Sequence, residues 1–136
     1  MVQNLQDLEV YQLSERLADD VWKIVIQWDF FVKDTIGKQL VRAADSISAN
    51  ISEGFGRYSY KENIQFCYYA RGSLYETRNW IKKAKKRSLI TDDYYLSMEN
   101  QLELLGKKLN AFINSMKKQS DKKTITTAYQ PITSNQ

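Results

Sequence analysis

Five cations crowd into six positions at Lys82, Lys83, Lys85, Lys86 and Arg87, with Arg78 one turn earlier. A run of this kind suits contact with phosphates, a contact that weakens steeply with salt and is largely indifferent to base sequence. A plainer reading stands beside it. Cations at the C-terminal end of a helix complement its dipole, and lysine-rich exposed ends are ordinary in helical proteins. Five in six exceed what capping needs, and the residues alone leave both readings open. Arg42, Arg57 and Lys61 are candidates to extend the cluster around the end of the preceding helix.

Little else in the chain could do chemistry. There is no His and one Cys, Cys67, so a zinc set, a histidine general base and an internal disulfide are all out of reach. Cys67 falls among Ile64, Ala70 and Leu74 on an inferred inner face, where a small apolar residue belongs. Glu99 and Glu103 are spaced as a pair, but beside a hydrophobic seam on a solvated face. Asp92 and Asp93 sit where capping acids are found. Glu53, Glu62 and Glu76 lack the histidine companions of di-iron bundles. Gly54-Phe55-Gly56 is half of a dinucleotide fingerprint, with Ser59 where a third glycine is needed. We therefore expect no catalytic residue, no cofactor and no metal. Arg71, beside Gly72 in a helix interior, wants a carboxylate from Glu76, Glu53 or Asp45. The glycine itself implies close approach of another helix.

The elements that must position these residues are helices. With 136 residues, one proline at position 131 and five glycines, the chain has almost no breakers between residues 7 and 118. Its length fits one domain that buries roughly two-thirds of its unfolded surface. Val10, Leu13, Leu17, Val21, Ile24 and Trp28 repeat at three and four, predicting helix one over about 8–29. After a break at Asp29 to Asp34, Ile36, Leu40, Ala43, Ala44, Ile47 and Ile51 predict a small-residue helix over about 35–54, closed by glycine in the left-handed conformation. Ser59-Tyr60-Lys61-Glu62 reads as a capping box opening helix three, which runs to about Arg87. Two adjacent stripes on that helix, Ile64, Cys67, Arg71, Leu74, Ile81 and Lys85 beside Phe66, Ala70, Ser73, Thr77, Trp80 and Ala84, fit either one broad core face or a core face beside a partner face. Thr91 caps helix four, where Tyr95, Met98, Leu102, Leu105, Leu109, Phe112 and Met116 hold a heptad seam.

Helices of about 20–28 residues span ~30–40 Å, matched lengths that pack as an antiparallel up-and-down four-helix bundle. The expected division is a bundle domain over 1–118 and a disordered tail over 119–136, where periodicity ceases. Charge is uneven: residues 37–87 carry eleven basic and four acidic side chains, residues 1–36 three and seven. With no secretory pattern at the N-terminus and no long apolar run, the expected location is cytoplasmic.

Three segments carry a resemblance. Leu8-Glu9-Val10-Tyr11, the run Gln39 to Arg57 with Ser46, Asn50 and Glu53-Gly54-Phe55-Gly56-Arg57, and Ala70-Arg71-Gly72-Ser73-Leu74-Tyr75-Glu76 resemble the bacterial four-helix proteins encoded within intervening sequences of the 23S ribosomal RNA gene. Ser48 departs from the family's usual proline. The resemblance implies a bundle assembled as a ring-like homopentamer with no established enzymatic activity. A related branch, the accessory variability protein of diversity-generating retroelements, binds nucleic acid and a reverse transcriptase. The expected function is thus a non-enzymatic oligomer that binds nucleic acid, structured RNA first, through Lys82, Lys83, Lys85, Lys86, Arg87, Arg42, Arg57 and Lys61. The alternative is a protein-binding scaffold, or accessory subunit of an enzyme such as a reverse transcriptase, that uses Tyr68, Tyr69, Tyr75 and Trp80.

Overall fold

The apolar spacing of three and four does become four long helices. The computed structural model describes residues 4–129. A short 3-10 turn, Leu5–Asp7, leads into α1 (Glu9–Val25). The three-residue α2 (Phe30–Val32) runs through a π-helical turn, Lys33–Gly37, into α3 (Lys38–Phe55). Then come α4 (Tyr60–Lys86) and α5 (Asp92–Tyr129), with no strand among the described residues.

Each long helix packs on the next, and α5 returns to α1, so the four close around one core. Cross-helix contacts fix the directions. On α4 and α5, Arg71 meets Asn110, Arg78 meets Glu103 and Lys85 meets Asp92, one number rising as the other falls. Between α1 and α5, Glu9 meets Lys108 and Asp20 meets Gln101. Neighbours are antiparallel, as the short connections require. Leu17, Val21, Leu40, Ile47, Ile51, Leu74, Ile81, Met98, Leu102, Leu105, Leu109 and Ile113 are essentially without solvent contact. Each large aliphatic side chain so buried stabilises the fold by about 1.5–3 kcal/mol.

Several boundaries differ from expectation, each for a local reason. Helix one stops at Val25 rather than near 29, because Asp29 starts a new helix: its side chain accepts the Val32 N–H at 3.1 Å. The expected break after it is helical from Phe30. Gly54 and Gly56 at the end of α3 are not left-handed, since no glycine among the described residues has positive φ. Gly54 is needed for space instead. A Cβ there would lie 2.6 Å from Asn63 Oδ1 and 3.0 Å from both Asn63 O and Phe66 Cβ, so α3 and α4 meet backbone to side chain at this point. Gly72 is the reverse case, with nothing within 4 Å of its Cβ position, so the close approach expected there does not occur among the described residues. At the other end, α5 continues through Tyr129, past Lys118, because no breaker precedes Pro131 and extending a formed helix is easy. The expected tail is thus helical over 119–129, and 130–136 lie outside the described residues.

Candidate nucleic-acid interface

The length and the two ends of α4 place the cations. Its start is capped by Ser59, whose hydroxyl accepts the Glu62 N–H at 3.2 Å. Its end is closed without glycine. Ser88 takes φ 61°, its N–H donates to Lys85 O at 3.1 Å and the Leu89 N–H donates to Ala84 O at 2.9 Å, the paired bonds of a Schellman motif. A serine held in this conformation costs about 1 kcal/mol. The reversed chain is then fastened, because Trp28 Nε1 donates to Leu89 O at 3.2 Å and Ile90 is buried. The last turn of α4 is therefore fixed on the core and its lysines project from a rigid base.

The cluster is smaller than the letters promised. Lys85 Nζ lies 3.0 Å from Asp92 Oδ1 and 5.7 Å from the centre of the Tyr95 ring, so it joins α4 to the start of α5. Arg78 is held by two acids of α5, Nε at 3.4 Å from Glu99 Oε1 and a terminal nitrogen at 3.6 Å from Glu103 Oε2. Both carboxylates were expected on a solvated face; Glu103 is exposed as expected, while the α4–α5 register draws Glu99 in beside the half-buried arginine. Lys82, Lys83, Lys86 and Arg87 carry no ion pair among the described residues, and all but the half-buried Lys83 are exposed.

Of the three cations expected to extend the cluster, Arg57 and Lys61 do not gather with it, and Arg42 does lie at its end. Arg57 and Lys61 stand at the opposite end of α4 from Lys82, on the order of 30 Å away along the helix. There Arg57 pairs with Glu53 at 2.8 Å and lies 4.8 Å above the Phe66 ring. It shares a cleft with Phe55, Tyr58, Tyr60, Lys61 and Asn63. Arg42 is exposed on α3, one turn from Gln39 and on the same face; Gln39 shares a second cleft, of about 370 Å³, with Asp34, Thr35, Ile36, Trp80 and Arg87. Arg42 thus belongs to the cluster's end of the molecule. Arg71 finds no carboxylate: it donates to Asn110 Oδ1 at 3.0 Å and stacks 4.8 Å over the Tyr68 ring, because α5 rather than α3 faces it.

Partial burial, then the charges of Glu15 and Asp19, hold the Asp45 carboxyl above its ordinary range. Among the described residues no group of three or more acids, His or Cys is placed to hold a metal. Burial pushes the Cys67 thiol up to about 12. The α4 core face draws on both predicted stripes, Cys67 and Leu74 from one, Ala70, Thr77 and Ala84 from the other. The residues beside the cations that sequence reasoning passed over are Thr35 and Gln39, and Trp80 was assigned only to a packing stripe or a protein-binding face. The spacing Trp80, Lys83, Arg87, one face of one helix, was the available signal. No helix among the described residues is long and apolar enough to cross a membrane.

Comparison with known proteins bears on the family and the fold. The family described as 23S rRNA-intervening sequence protein matches residues 6–111. A crystal structure of a protein of unknown function from the S23 ribosomal protein family of Bacteroides thetaiotaomicron is 25% identical, with a TM-score of 0.69 over 76% of this chain and 97% of that one. The search of curated proteins finds no match.

Proposed function

Since the chain belongs to the 23S rRNA-intervening sequence protein family, we propose that it is a non-enzymatic helical bundle that binds nucleic acid, structured RNA first, through the end of α4. One observation carries the reading: Lys82, Lys83, Lys86 and Arg87 stand together on a fixed helix end with no ion pair among the described residues. Cations that only served solubility or the helix dipole would do as well interleaved with acids, as Lys85 is. Four uncompensated charges on one rigid turn attract a polyanion instead.

The proposal includes assembly, with the homopentamer that the family resemblance implies. The support is on α4, where Tyr69 and Tyr75 are more than half exposed on either side of Gly72, a helix-interior glycine that no contact among the described residues requires. Repetition by symmetry turns several weak phosphate patches into one strong surface. The same tyrosines favour the second reading, a scaffold that contacts a protein such as a polymerase while the charge steers association.

The test is binding of the purified protein to labelled structured RNA and to double-stranded DNA across a salt series, with mass by light scattering on the same sample. An oligomer that binds at micromolar concentration or tighter, with steep loss on adding salt, supports the proposal. An oligomer that binds neither polymer at low salt overturns it and leaves the scaffold reading.

A further inference from the structure

The cleft beside the cation cluster brings together an aromatic ring, an amide and a cation. The Trp80 side chain forms part of its wall and is only partly buried, with its Nε1 donating to Glu76 Oε2 at 3.4 Å. The Gln39 side chain is exposed, and its amide has no hydrogen-bond partner among the described residues. The Arg87 guanidinium is exposed and unpaired at the rim. By contrast, the other polar groups of the cleft are engaged: Asp34 pairs with Lys38 at 3.1 Å, and Thr35 Oγ1 donates to Phe31 O at 2.7 Å. Ile36 is buried beneath. One wall is the π-helical turn Lys33–Gly37, an irregularity that often accompanies function.

We propose that this cleft takes a single unpaired base of the nucleic acid whose phosphates the α4 cations contact. The inference rests on the reading of those cations as the phosphate-binding surface and names what it would prefer. An aromatic ring gives a stacking platform for any base, an amide offers both donor and acceptor to a base edge, and a cation at the rim meets the adjoining phosphate. The volume, about 370 Å³, lies within the range of small-ligand pockets. Trp80, Lys83 and Arg87 follow one another on one face of α4, so a strand laid along Lys83 and Arg87 brings its bases past the indole. A base inside a duplex is stacked and paired and cannot enter, so the preferred ligand has single-stranded loops or ends.

The experiment compares a hairpin carrying an unpaired loop with a blunt duplex of equal phosphate number, each as RNA and as DNA, by fluorescence anisotropy over a salt series. The full chain is predicted to bind the hairpins roughly tenfold tighter than the duplexes. Trp80→Ala removes that preference, roughly a tenfold loss on hairpins and none on duplexes, with the salt slope kept; Trp80→Phe retains most of it. Gln39→Ala, at an exposed position where folding is not at stake, costs severalfold on hairpins only. A like preference in ribo and deoxyribo probes assigns it to the base, and a preference confined to RNA assigns it to the ribose and overturns the base pocket. Equal affinity of the unaltered chain for hairpin and duplex, or equal loss on both from Trp80→Ala and Gln39→Ala, also overturns it. Reversal of Lys82 and Lys86 is the separate control: it lowers both probes and flattens the salt slope if the phosphate reading holds, whichever way the cleft result falls.

Discussion

Arg78 Nε on α4 lies 3.4 Å from Glu99 Oε1 on α5, and both atoms are closed off from solvent without a hydrogen bond between them. The pair decides which cations can meet a ligand. An arginine already committed to two carboxylates of its own chain is a structural tie, whatever its place in a basic run.

Removing one partner from such a pair leaves the other in a poor environment. Arg78→Ala is predicted to destabilise the fold by about 1–3 kcal/mol, since the Glu99 oxygen stays buried without its cation. Replacing both, as Arg78→Met with Glu99→Leu, recovers most of that loss. Urea unfolding of the two variants measures the difference, and neither is predicted to change the salt slope of nucleic-acid binding.

The glycines of α3 and α4 separate close packing from open surface. Gly54→Ala drives a Cβ against Asn63 and Phe66 and is predicted to cost about 1–3 kcal/mol. Gly72→Ala meets nothing in its own chain and is predicted to stabilise the isolated helix by about 0.5–1 kcal/mol. If another copy packs on Gly72, the same change lowers assembly. Denaturant midpoints paired with light scattering read both effects.

Asp45 gives a pH signature. Its folded pKa is raised, so the folded state holds this proton more firmly than the unfolded chain. The contribution favours folding when Asp45 is protonated and is lost as pH rises from the ordinary carboxylate value through the raised one. Asp45→Asn is therefore predicted to melt higher than the unaltered protein at neutral pH, with the gap narrowing as the solution is acidified toward and below the ordinary carboxylate range. Melting curves at several pH values test the sign.

Sequence periodicity found the elements where the signal is local. Thr91 accepts the Tyr94 N–H at 3.1 Å as its type and position imply, and Met98, Leu102, Leu105 and Leu109 bury along the α5 seam as their spacing implies. Ile113 joins them although it falls outside that spacing. What depends on register between helices stayed hidden. Arg78 looked like a ligand contact because its acids are on α5, and Arg71 looked like a carboxylate partner because Asn110 is thirty-nine positions away. The ends were hard to read as well. Asp29 looks the same as a loop acid and as a cap, and Ser88 carries a left-handed turn that the sequence rules assign to glycine. The cation cluster was visible, and its distance from Arg57 and Lys61 already follows from a helix that opens at Tyr60 and runs to about Arg87; that Lys85 and Arg78 are taken up by acids of α5 depends on register and was not legible.

Whether the free cations at the end of α4 meet phosphate is read from the salt dependence of structured-RNA binding. The unaltered protein is compared with the variant in which Lys82, Lys83, Lys86 and Arg87 are all changed to Glu. The variant is predicted to bind at least a hundredfold more weakly at low salt, with a log–log salt slope reduced by roughly 0.7–0.9 for each phosphate it no longer neutralises. Unchanged affinity with an unchanged slope would show that these four cations do not bind the nucleic acid.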